Sequence, residues 1–78
     1  MPTHKLSDIA KGKSCRVLSF TDDQLKIKLL EMGCLPGEIV KVSRMAPFNG
    51  PIAIDLNDYT LSLRKNEAET IIVEPIEV

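Results

Sequence analysis

Residues 52–63 read Ile52-Ala53-Ile54-Asp55-Leu56-Asn57-Asp58-Tyr59-Thr60-Leu61-Ser62-Leu63. Ile52, Ile54 and Leu56 alternate with Ala53 and Asp55, and Tyr59, Leu61 and Leu63 then alternate in the same way. Successive side chains of a strand point to opposite faces, so each run predicts a strand with one apolar side. Asn57-Asp58 between them suits a tight hairpin turn, although Asn-Gly would be the stronger signal.

The pattern extends in both directions. Downstream, Lys65 to Ala68 is a polar break with room for one helical turn. Thr70 to Glu74 is a β-branched strand ended by Pro75. Upstream, Pro47, Gly50 and Pro51 punctuate a loop over 46–51, and Glu38 to Met45 reads as a strand with Val40 and Val42 inward. Leu35-Pro36-Gly37 has Pro before Gly, as a type II turn prefers. Ser14 to Phe20 is a first strand with Cys15 and Val17 on one face. Leu18 and Phe20 break its alternation. Leu6 and Ile9 suit one helical turn capping the core, and Gly12 marks a turn.

One helix interrupts the strands. Thr21-Asp22-Asp23-Gln24 predicts its start, with Thr21 as cap and Gln24 reaching back to it. The helix runs from Asp22 to about Met32, and Gly33 ends it in a left-handed conformation. Leu25, Leu29 and Met32 form the core stripe. The expected fold is mainly β: a small barrel of about five strands with one α-helix after the first, because closure removes exposed edges.

At 78 residues the chain holds one domain, over residues 1–78. Its 44% apolar content is ordinary for a folded protein, which argues against disorder. Aromatic residues are limited to Tyr59, Phe20 and Phe48, which leaves little surface for stacking bases. The net charge of −1 gives no bulk attraction to nucleic acid or anionic lipid. The charge is uneven: residues 1–45 sum to +3 and residues 46–78 to −4, a polarity that can orient a protein on a partner. No apolar run follows Met1-Pro2-Thr3-His4-Lys5, and no stretch approaches the roughly 18 residues of a membrane span. A cytoplasmic protein without membrane insertion is expected.

The chemistry-bearing residues are sparse. His4 is the sole histidine, and Cys15 and Cys34 have no second histidine to activate them. Gly33 to Gly37 lacks the Gly-Lys-Ser/Thr signature of a phosphate loop. His4, Cys15, Cys34, Asp22, Asp23, Met32 and Met45 show no metal-ligand spacing, and the two aspartates are explained by the helix start. No catalytic residue, no metal site and no cofactor is expected. The distinctive feature is Lys26-Ile27-Lys28 with Leu30: an apolar pair off the core stripe, next to two cations. Such a pair is a docking patch, or else the helix is seated deeply enough to bury it.

In order along the chain, Leu6-x-x-Ile9-x-x-Gly12, Leu29-Leu30-Glu31-Met32-Gly33-Cys34-Leu35-Pro36-Gly37, Pro47 with Gly50-Pro51, and Leu61-Ser62-Leu63-Arg64-Lys65-Asn66-Glu67-Ala68 resemble the ferrous iron transport protein A (FeoA) family. The resemblance runs from about Leu6 to Val73. It implies an SH3-like β-barrel and a non-enzymatic accessory or regulatory role in bacterial ferrous iron uptake. The implied partner is the cytosolic G-protein domain of a FeoB-type membrane transporter. The partner-binding residues expected here are Lys26, Ile27, Lys28, Leu30 and Leu35. Many family members carry arginines just before the position of Leu29. Here lysines keep the charge but lose the planar fork. Cys34 stands where a plain apolar residue is common.

Two rival readings share this fold. One is a metal-responsive regulatory domain like the C-terminal domain of metal-dependent repressors. The other is an RNA-binding barrel, which the pI of about 5.7 and the few aromatics disfavour. The sequence leaves self-association, through a strand edge or the helix patch, open.

Overall fold

The computed structural model describes residues 3–76, so Met1, Pro2 and residues 77 and 78 lie outside it, as do those parts of the terminal and single-domain readings that fall on them. The elements are β1 (His4–Lys5), a 3₁₀ turn (Leu6–Asp8), β2 (Ser14–Phe20), α1 (Asp23–Glu31), β3 (Ile39–Met45), β4 (Ile52–Asp55), β5 (Thr60–Leu63), α2 (Lys65–Ala68) and β6 (Ile71–Ile76). All strands join one antiparallel sheet in the order β1-β6-β2-β3-β4-β5. The mainly β, SH3-like class expected from the sequence is the fold observed.

Two details differ from the expectation. There are six strands among the described residues, because His4–Lys5 pairs with Ile72 and Val73. The ladder is also open: β1 and β5 are its two ends. At that seam α2 packs against the 3₁₀ turn, and Leu6 and Ala68 are fully buried.

The curl of the sheet is set by two bulges. In β2 the register slips between Val17 and Ser19, so Leu18 is the extra residue. The slip turns Leu18 outward and resets the alternation, which brings Phe20 onto the core. The broken pattern of this strand in the sequence is therefore a bulge. In β3 the slip lies between Val42 and Arg44, and the Ser43 hydroxyl donates to the Ala53 carbonyl (3.2 Å). Cys15, Val17, Val40, Val42, Ile52, Ile54, Leu63, Ile71 and Val73 all point into one core, with Leu29 of α1 closing it.

Pro75 does not end its strand. It sits inside β6 opposite Cys15, where two-residue β1 no longer covers the other side and no amide donor is required. The β4–β5 connection closes through the Leu56 amide and Tyr59 carbonyl (2.9 Å). Asn57 and Asp58 keep negative φ, so this is not the type I′ turn that Asn-Gly would make.

Candidate docking surface

The α1 segment is held at both ends by local hydrogen bonds. Its start is capped by Asp22, not Thr21: one Asp22 carboxylate oxygen accepts from the amides of Gln24 and Leu25, both at 3.0 Å. Thr21 instead sits just beyond the end of β2, its amide donating to the carbonyl of Thr70 just before β6 (2.8 Å). At the other end the Cys34 amide donates to the Leu29 carbonyl (3.0 Å) and the Gly33 amide to that of Leu30 (3.1 Å). This is a Schellman closure with left-handed Gly33 (φ 91°), and buried Leu29 and Cys34 supply its apolar contact.

The chain then turns through Leu35-Pro36-Gly37-Glu38. The Glu38 amide donates to Leu35 (3.1 Å) and Gly37 has φ 90°, the type II geometry expected. The turn is stitched to β2 by Gly37 N–H to Val17 O (2.7 Å) and Val17 N–H to Glu38 O (2.9 Å). Leu35 is thus carried on a rigid turn, 42% exposed.

The five partner-binding residues expected from the sequence fall as follows. At about 100° per residue, Ile27 stands roughly 160° around α1 from buried Leu29. It is 61% exposed. Lys26 and Lys28 are exposed on its two flanks, and Leu30 is half-buried. Lys28 Nζ lies 3.7 Å from Glu67 Oε2 on α2, an ion pair too exposed to contribute more than a fraction of a kcal/mol. The other Glu67 oxygen accepts from the Arg64 amide (2.7 Å) and fixes the start of α2. Leu18 and Ile39 are exposed on the neighbouring strands beside the Leu35 turn, and Arg16, opposite Ile39, is paired with Glu74 (2.9 Å). Sequence reasoning did not assign Leu18 or Ile39 to the surface. The alternation break at Leu18 was the available signal.

The two cysteines are buried and unpaired. Burial, and then the neighbouring Cys34 sulfur, push the Cys15 thiol up to about 11. Burial alone raises Cys34 to about 11. Both are neutral near pH 7 and act as small apolar residues. Asp22 is engaged as the helix cap. No helix among the described residues is long and apolar enough to cross a membrane.

The family profile described as FeoA domain matches residues 4–75. A crystal structure of an iron uptake regulatory protein (FeoA) superposes with a TM-score of 0.85 at 25% identity, covering 97% of this chain and 100% of that one. A FeoA-like protein from Clostridium acetobutylicum gives a TM-score of 0.90 at 29% identity, covering 100% and 92%. A manganese-dependent transcriptional repressor gives 0.86 at 21% identity, covering 96% of this chain and 42% of that one, a likeness of fold alone.

Proposed function

We propose, given that this chain belongs to the FeoA domain family, that it is a cytosolic accessory protein of ferrous iron uptake that works by contact with a FeoB-type membrane transporter and its G-protein domain. The observation that carries this reading is Ile27. A large aliphatic side chain stands 61% exposed on the face of α1 opposite the core, between two lysines. Burying the 61% of it that is exposed would contribute about 1–2 kcal/mol, while Lys26 and Lys28 would orient the encounter. The caps at both ends of α1 and the stitched Leu35 turn present this face without loss of order on binding, which favours affinity.

The test is a titration of isotope-labelled protein with the transporter's G-protein domain, with and without a non-hydrolysable guanine nucleotide. Amide shifts clustered on residues 26–35 are expected, and Ile27→Asp should abolish them with a thermal transition close to that of the wild type. Ile27 is a cleaner probe than Leu30, whose half-buried side chain would confound binding with stability. No shifts at high concentration of the G-protein domain would refute the docking mechanism and leave family membership standing.

A further inference from the structure

The β3–β4 hairpin ends in a turn unlike any other among the described residues. Ala46 N–H donates to Pro51 O (3.0 Å) and Gly50 N–H to Pro47 O (3.1 Å), leaving Phe48 and Asn49 as the two central residues. Both have positive φ, 59° and 62°, which makes the turn type I′. Asn suits that conformation, but Phe does not, and backbone strain of this kind persists only where the surroundings impose it. Lys65 Nζ donates to Asn49 Oδ1 (2.7 Å), tying the turn to α2. At Gly50 a Cβ would come within 2.6 Å of the Ala46 Cβ, so the two arms are in close contact.

This braced turn holds out an aromatic ring that touches nothing: Phe48 is 99% exposed. Met45, Ala46, Pro47 and Pro51 around it are exposed as well. At its base stand three cations. Arg44 precedes Met45. Arg64 follows Leu63, which pairs with Ile52, the partner of Met45. Lys65 holds Asn49. Glu69 is the one carboxylate lining the shallow recess there with Asn49, Pro51, Arg64 and Lys65.

We propose that this hairpin tip is a membrane-surface contact, with Phe48 entering the interfacial layer of an anionic bilayer and Arg44, Arg64 and Lys65 at headgroup level. The composition of the tip suits a lipid surface: an exposed aromatic ring among exposed apolar neighbours, with cations at its base, is the pattern of an interfacial contact. Pro47 and Pro51 have no N–H, and the Ala46 and Gly50 amides are bonded within the turn, whereas the Phe48 and Asn49 amides have no partner among the described residues, so the tip suits the hydrated interfacial layer and not the hydrocarbon interior. The location also suits a protein docked on a membrane partner. Lys28 reaches Glu67 of α2, and Lys65 of α2 reaches the tip, so the docking face and the tip are neighbours. The inference stands apart from that docking, however, and restricts the expected absence of membrane insertion to spanning segments.

The test uses bare vesicles and the full chain. No tryptophan is present, so Phe48→Trp is a local probe at a site where the side chain packs against nothing. With phosphatidylglycerol vesicles its emission should shift to the blue, with half-saturation at about millimolar lipid, and with phosphatidylcholine it should not. Arg64→Gln with Lys65→Gln should weaken binding about 25-fold, at roughly fivefold per cation. Tyr59→Trp, on the next hairpin, should not shift. Phe48→Ser should lose vesicle co-sedimentation with an unchanged thermal transition. An unshifted Phe48→Trp spectrum at several millimolar anionic lipid overturns the proposal, whether or not the protein co-sediments. So does a shift caused only by adding the G-protein domain, which would reassign the tip to a protein pocket.

Discussion

At Gly33 two requirements coincide. Its φ of 91° lies in the left-handed region, and the Tyr59 hydroxyl occupies the space where a Cβ would stand. Gly33→Ala should lose about 1–2 kcal/mol in denaturant unfolding from the backbone conformation alone. Adding Tyr59→Phe should restore only a small part, because a tyrosine tip can swing aside. If it restores most of the loss, the close approach and not φ is the cause. The left-handed Gly33 was legible in the sequence, since a glycine after an amphipathic stripe has few other uses. The hydroxyl of Tyr59, from a hairpin more than twenty residues away, was not. The buried thiols make a second prediction at this scale. Folding raises Cys15 and Cys34 from 9.0 to about 11. Between those values the unfolded chain has lost both protons and the folded chain keeps them. Their contribution is therefore fully present below about pH 9 and falls as pH rises towards 11, by about 1.4 kcal/mol per thiol per pH unit. Urea unfolding at a series of pH values, compared with Cys15→Ala/Cys34→Ala, should show that slope only in the wild type.

Among the elements, α1 shows how far a pattern argument reaches. Its extent, its Leu25, Leu29 and Met32 stripe and its closure at Gly33 all follow from residue spacing, and the structure has them. The cap does not follow, because Thr21 and Asp22 are both good capping residues and local preference cannot choose between them. The choice is tertiary: the Thr21 amide is held by the Thr70 carbonyl just beyond the β2–β6 pairing, which moves the helix start one residue on. Asp22→Ala should accordingly lose about 1 kcal/mol, removing an oxygen that serves two amides, and Thr21→Ala distinctly less. Equal losses in thermal unfolding would mean that the Thr21 hydroxyl contact with Thr70 (3.4 Å) is worth as much as the cap. The same division applies to the candidate site. That Ile27 lies off the stripe is a matter of helix period. That Lys28 leans towards Glu67, and that Leu18 and Ile39 surface near Leu35, depends on a bulge and on contacts distant in sequence. The Phe48 turn was legible only as a loop, because Pro-Phe-Asn-Gly does not announce a type I′ turn.

At the scale of the whole molecule, the open ladder decides where the fold is weakest. Strands β2 and β6 share the longest ladder and lie inside the sheet, whereas β1 is two residues long and β1 and β5 each have a free edge. Among the described residues no hydrogen bond ladder joins those edges. The seam depends on side-chain packing between the 3₁₀ turn and α2, around Leu6 and Ala68. Local opening should begin there, so native-state amide exchange should be fastest in β1 and β5 and slowest in β2 and β6, where it should approach the global unfolding free energy. Leu6→Ala makes this decisive. Leu6 is fully buried, and its truncation should lose about 2–5 kcal/mol of stability. If the seam opens by itself, the variant should speed exchange at the Ala68 amide, which is bonded to the Arg64 carbonyl (3.0 Å), by more than its global loss explains. If protection instead falls equally at every amide, the seam has no independent motion, and the sheet with its two covering turns unfolds as one cooperative unit despite its open ladder.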